Sequence, residues 1–232
     1  MRREVLIDDL KRLYTAGDVV RTDCGGCSGC HSCCTGMGES VILDPYDIFR
    51  MTEGLEQPFQ ALLGTAVELN ISEGLILPNL SMKGELEACY FLNGEGRCSI
   101  HGFRPGICRL FPLGRYYENG RFSYFLQSQE CPKEPKTKVK VKKWIGIADL
   151  KRYEEYILRW HYLLEDIREM LDASGDAQLR KDLSTFVLST FYMTPYEHGD
   201  FYAQFDKRYE HTGKLLTVLK RKEKGNDQES DI

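Results

Sequence analysis

The sequence contains no apolar stretch approaching the roughly 20 residues of a membrane-spanning helix, so no membrane association is expected. It also lacks an excess of either charge. A formal net charge of -4 and a pI near 5.8 exert no general pull on nucleic acid or anionic lipid. The N-terminus, MRREVLIDDLKRLY, follows its basic residues with alternating apolar and acidic ones and has no uninterrupted hydrophobic segment. Export is therefore not expected. No Gly-x-Gly-x-x-Gly follows a candidate strand, and no Cys-x-x-x-Cys-x-x-Cys run of radical chemistry occurs.

What the chain does have is cysteine, nine residues in 232. That density is well below the roughly 8–10% of a disulfide-stapled scaffold, and an odd number leaves one thiol unpaired. Reduced thiols and a cytoplasmic location are the expectation. Eight of the nine fall into two batches: Cys27, Cys30, Cys33 and Cys34 in the run CSGCHSCC, then Cys89, Cys98, Cys108 and Cys131. Thiolates at i, i+3 and i+6 in a glycine-rich loop can converge on one small volume, as zinc or the irons of an iron–sulfur cluster require. Neither helix formation nor packing demands that spacing.

The fold class read from the pattern is α+β. A small, irregular, cysteine-rich metal-binding half with short strands and helices occupies 1–148, and a module of about three helices occupies 149–224. Residues 225–232 form a tail expected to be disordered. Leu6, Leu10 and Leu13 suggest a helix from 4 to about 16. Val41 to Leu43 suits a strand, and Asp44-Pro45 caps and opens a helix through Ile48, Phe49 and Met51. A second helix is expected over about 58–70.

Residues 75–125 read as β-rich, including a hairpin from Gly114 to Tyr124 whose Asn119-Gly120 suits a type I′ turn. Arg104-Pro105 opens a single helical turn that presents Cys108. Beyond Asp149, Leu150, Tyr153, Ile157, Trp160, Leu164, Ile167 and Leu171 form one seam of a long amphipathic helix. Two further helices follow, at about 176–193 and 199–223. The seam packs a core within the chain. Its alternative, a coiled coil, would give the C-terminal helices a protein partner.

Lys138 to Lys142 alternates with valine as a guarded edge strand does. No RNA-recognition motif, zinc-finger spacing or group of stacking aromatics accompanies these lysines, so no nucleic-acid partner is expected.

The run CSGCHSCC from Cys27, CYFL from Cys89, CSIHGFRPGICRLFP from Cys98 to Pro112, and Cys131 resemble, in order, the bacterial YkgJ-like family of cysteine-cluster proteins, described as zinc- or iron-chelating domains. The resemblance spans about 27 to 131 and implies metal binding by Cys27, Cys30, Cys33, Cys34, Cys89, Cys98, Cys108 and Cys131. Two departures stand out. Cys24 adds a ninth thiol, and position 101 is His where the family commonly has an aromatic residue. His101 and His31 are structural residues before they are ligands.

Between the metals, Cys-x-x-Cys-x-x-Cys with a distant fourth thiol is the layout of a bacterial-type ferredoxin site, and Cys131-Pro132 echoes its end. The second batch supplies none of the Cys-x₂₋₄-Cys knuckles usual for structural zinc. An iron–sulfur cluster is favoured over zinc, for electron transfer or structural support; a zinc site would make the chain an interaction module. Adjacent Cys33 and Cys34 are expected to diverge, one toward a second metal, or one of the two is a buried structural thiol. Arg104 and Arg109 flank Cys108, where cations offset thiolate charge.

The flagellin lysine N-methylases contain a similar cysteine-cluster domain, so the resemblance implies protein lysine methylation as the enzymatic alternative. No catalytic residue is assigned.

Overall fold

The computed structural model of the chain describes residues 10–23, 25, 30–127 and 129–229, with side chains described as far as 221. Cys24, Cys27 and residues 4–9 of the expected 4–16 helix lie outside these residues. The described end of that stretch holds strand β1 (Leu13–Tyr14) instead of helix. β2 (Val19–Asp23) follows, and Ser32–Cys34 forms one 3₁₀ turn.

Helix α1 (Pro45–Leu55) starts as Asp44-Pro45 predicts. The Asp44 side chain accepts from the Asp47 N–H, the Asp47 side chain accepts from the Asp44 N–H, and proline fills the first turn. The expected 58–70 helix is corrected to a single turn, α2 (Phe59–Leu62), because Gly64 turns the chain at φ 73° into strand β3 (Val67–Ser72). β4 (Leu75–Leu80) closes a hairpin with β3. The strand expected at Val41 to Leu43 is reduced to an isolated bridge between Ile42 and Asn79.

Two short strands, β5 (Met82–Lys83) and β6 (Ala88–Cys89), pair with Met82 opposite Cys89. After a 3₁₀ turn at His101–Phe103 comes α3 (Gly106–Leu110), the expected single turn carrying Cys108. β7 (Leu113–Glu118) and β8 (Arg121–Leu126) form the predicted hairpin, with Asn119 at φ 50° and Gly120 at φ 72° as a type I′ turn requires. β1 adds to β8, pairing Leu13 with Phe125. β9 (Thr137–Lys140) pairs with β2, and the chain then coils into α4 (Val141–Ile145). The lysines of β9 point outward while Val139 is half-buried, as the alternation predicts.

Three helices complete the α+β fold: α5 (Leu150–Ser174), α6 (Ala177–Leu188), which runs into a π turn at Ser189–Met193, and α7 (Phe201–Glu229). All seven residues of the α5 seam are buried.

The chain divides into two compact units, residues 1–70 with 78–158, and residues 71–77 with 159–232. The first unit contains the three-stranded sheet β1-β8-β7, the pairs β2-β9 and β5-β6, α1 to α4 and the opening turns of α5. The second is built on aromatics: Trp160 lies edge-on to Phe191 at 5.0 Å between ring centroids and packs on Tyr192 and Phe205. Burial of such rings contributes the largest apolar area per residue.

Among the described residues, no helix is long and apolar enough to cross a membrane.

Candidate metal centre

The first cysteine batch reaches the second through backbone pairing. Thr35 bridges to Ala88, and the Gly36 N–H donates to the Glu87 carbonyl at 3.1 Å, which sets the turn carrying Cys33 and Cys34 beside Cys89 of β6. A bridge between Leu92 and Cys98 folds the next loop back, its tip closed by the Asn93 side chain accepting from the Glu95 and Arg97 N–H groups. Against that tip lies His31: a Cβ on Gly96 would stand 3.1 Å from its ring.

Cys108 rides on α3, and α3 is held at both ends. Its first amide, the Gly106 N–H, donates to Asp47 Oδ1 at 2.7 Å. At its far end the Trp144 indole N–H donates to the carbonyls of Leu110 and Phe111 at 3.1 and 3.2 Å. An isolated turn of this length would not persist without such partners.

These connections gather the thiols. Cys30, Cys33, Cys34, Cys98, Cys108 and Cys131 line one cavity of about 70 Å³, walled further by Phe111, Pro112 and Trp144 and edged by Arg97, His101 and Arg104. Cys89 does not line it but feels the charges of Cys98 and Cys33. Seven of the nine cysteines are thus described, no disulfide joins any two of them, and they belong to one neighbourhood of the first unit. Cys27 and Cys24 lie outside the described residues. Among the described residues, no group of three or more His, Cys, Asp or Glu side chains is already set to hold a metal ion. The thiols share a cavity, and Cys33 and Cys34, expected to diverge, both line it.

Every described thiol with a resolved shift is pushed toward its neutral form. The Cys33 hydrogen bond raises Cys34 most, followed by burial and the charges of Cys33, Cys108 and Cys89. Burial leads for Cys89, Cys98 and Cys108, with neighbouring thiols adding to it. Opposing this, the Phe91 and Leu92 amides hydrogen-bond to the Cys89 sulfur and the Ile100 amide to that of Cys98, and Arg104 adds its charge at Cys98. Amide donors aimed at sulfur are what a metal-bound thiolate uses. The donor set therefore fits a thiolate-loving metal, whose positive charge would remove the mutual repulsion that keeps the thiols protonated.

His101 lines the cavity but is engaged, its Nε2 meeting a guanidinium nitrogen of Arg104. Desolvation, then Arg104, Arg97 and Arg109, holds its pKa below the ordinary value. Arg109 is tied to backbone, donating to the carbonyls of Arg104 and Gly102. The Arg104 Nε is buried with no hydrogen-bond partner among the described residues.

Behind the cavity lies a buried polar group that the cysteine pattern gives no hint of. Asp47 is 3% exposed. The Tyr156 hydroxyl donates to Asp44 at 3.0 Å and accepts from the Tyr46 N–H, while Arg115 donates to the Tyr153 hydroxyl. Burial raises both carboxylates, Asp47 well above its usual range, and Arg115 partly offsets this. The only local signal is the capping-box spacing of Asp44 and Asp47.

Residues 26–138, just under half of the chain, match the model of the CxxCxxCC family, described as a putative zinc- or iron-chelating domain. That match supports binding of zinc or iron, and it names the broad domain family, not the YkgJ-like group. No curated protein and no solved structure matches the chain.

Proposed function

We propose that the chain is a metal-binding protein whose clustered thiolates, drawn from Cys27, Cys30, Cys33, Cys34, Cys89, Cys98, Cys108 and Cys131, hold an iron–sulfur cluster in a reducing, cytoplasmic setting. The observation that supports this best is that thiols from both sequence batches line one cavity, although Cys30 and Cys131 are about one hundred residues apart. Iron is preferred over zinc because the first batch has the ferredoxin-like interval and the second has no zinc knuckle. Amides directed at the Cys89 and Cys98 sulfurs, and the arginines at the cavity edge, suit an anionic thiolate centre. Such a centre would serve electron transfer or structural support.

The test is anaerobic purification followed by iron, sulfide and zinc analysis. Brown protein with a sulfur-to-iron charge-transfer absorption is expected, and Cys30→Ser and Cys108→Ser should each abolish it, since a hard oxygen holds such clusters poorly. Cys24→Ser should leave it intact. Colourless protein with stoichiometric zinc would reject the iron–sulfur reading while keeping the thiolate site. Protein that takes up neither metal after anaerobic reconstitution would reject both.

A further inference from the structure

Resting on that metal-site reading, we infer that Asp47 is a positioning residue for the thiolate centre, fixing the turn that carries Cys108 through the Gly106 amide. One carboxylate oxygen of Asp47 closes its own helix by accepting from the Asp44 N–H at 3.2 Å. Helix capping needs no more than that. The other oxygen crosses to a residue 59 positions away and takes the first amide of α3 at 2.7 Å.

The geometry at Gly106 leaves no latitude. A Cβ there would lie 2.1 Å from the Tyr153 hydroxyl and 3.5 Å from Asp47 Oδ1, so only glycine lets the backbone come this close. Two residues on stands Cys108, with the turn closed on the other side by Trp144. Charge alone does not explain Asp47. A carboxylate beside sulfurs that must become thiolates adds to the repulsion there, and its field does fall on Cys108. A buried carboxyl group in that place is accounted for by the two amides it holds, since each of its oxygens accepts from one of them, whereas an amide side chain has one oxygen to offer.

The experiment uses the full chain, loaded anaerobically with cobalt(II) and, in parallel, with ferrous iron and sulfide. Asp47→Asn and Asp47→Ala are compared with Asp44→Ala, which removes the same helix cap without touching Gly106. The Asp47 variants should bind about 10–100-fold more weakly and change the absorption pattern of the loaded centre. Asp44→Ala should lose thermal stability but keep wild-type affinity and spectrum. Wild-type binding and spectra in both Asp47 variants would overturn the inference, as would identical effects from Asp44→Ala.

Should the Asp47 variants fail to fold, the loaded wild type still decides: the Gly106 amide should exchange slowly with solvent, and exchange at the rate of an exposed amide overturns the clamp. If the wild type takes up neither probe, the metal reading falls and takes the inference with it. Uptake undiminished in the Asp47 variants removes the inference alone.

Discussion

At the level of single residues the thiols set a pH signature. Cys34, Cys89, Cys98 and Cys108 are all raised above the ordinary 9.0, Cys34 by its bond to Cys33 and the others chiefly by burial. In the metal-free folded chain they stay protonated where the unfolded chain has begun to ionise, so the folded state binds more protons above 9.0. Their stabilising contribution is complete below that value and is lost as pH rises toward the raised pKa values. Urea unfolding of metal-free protein should therefore show falling stability from about pH 8 to about pH 10, and loaded protein should not show this fall. Loading should instead release close to one proton per ligating thiol, measurable in weak buffer, with affinity climbing steeply as pH rises. Metal uptake without proton release would contradict the thiol assignment.

At the level of elements, α3 is a one-turn helix that exists because residues far away in sequence hold it. Trp144→Phe keeps a ring but removes the indole donor to Leu110 and Phe111. It should cost about 1–2 kcal/mol of first-unit stability and reduce metal retention under chelator competition, read by unfolding and metal analysis. Unchanged retention would mean that the Gly106 end suffices. The turn itself is legible in Arg104-Pro105, as the β7–β8 hairpin is in Asn119-Gly120, because both are set by local backbone preferences. The aspartate behind α3 is not legible. Asp47 meets Gly106 across 59 residues, and no short-range pattern reports such a contact. Nor is β1, whose partner Phe125 lies more than a hundred residues away while Leu13 stands at a helical interval from Leu6 and Leu10. The 58–70 stretch fails differently, since one glycine at φ 73° outweighs the helical run around it.

At the level of the whole molecule, the thiols and the aromatic helical core belong to different units. The cysteine-bearing turns have little apolar surface to offset their ordering, whereas the second unit buries Trp160, Phe191 and Phe205 together. Chelation should therefore speed amide exchange around residues 30–36, 88–98 and 106–110 while leaving 160–216 protected, by hydrogen-exchange mass spectrometry. Equal loosening of both, or of neither, would show that metal does not stabilise the first unit selectively. The cysteine batches and the helical seam are legible because they recur at fixed intervals. The boundary between units is not, since α5 runs without a break from one into the other.

The cavity at the thiols also sets a size scale. At about 70 Å³ it is several-fold smaller than the roughly 300–1,000 Å³ pockets that enclose organic cofactors. Ions pass such a gauge, and so does an electron, which needs no passage at all. A nucleoside-sized methyl donor asks for more room than the described residues leave beside the sulfurs.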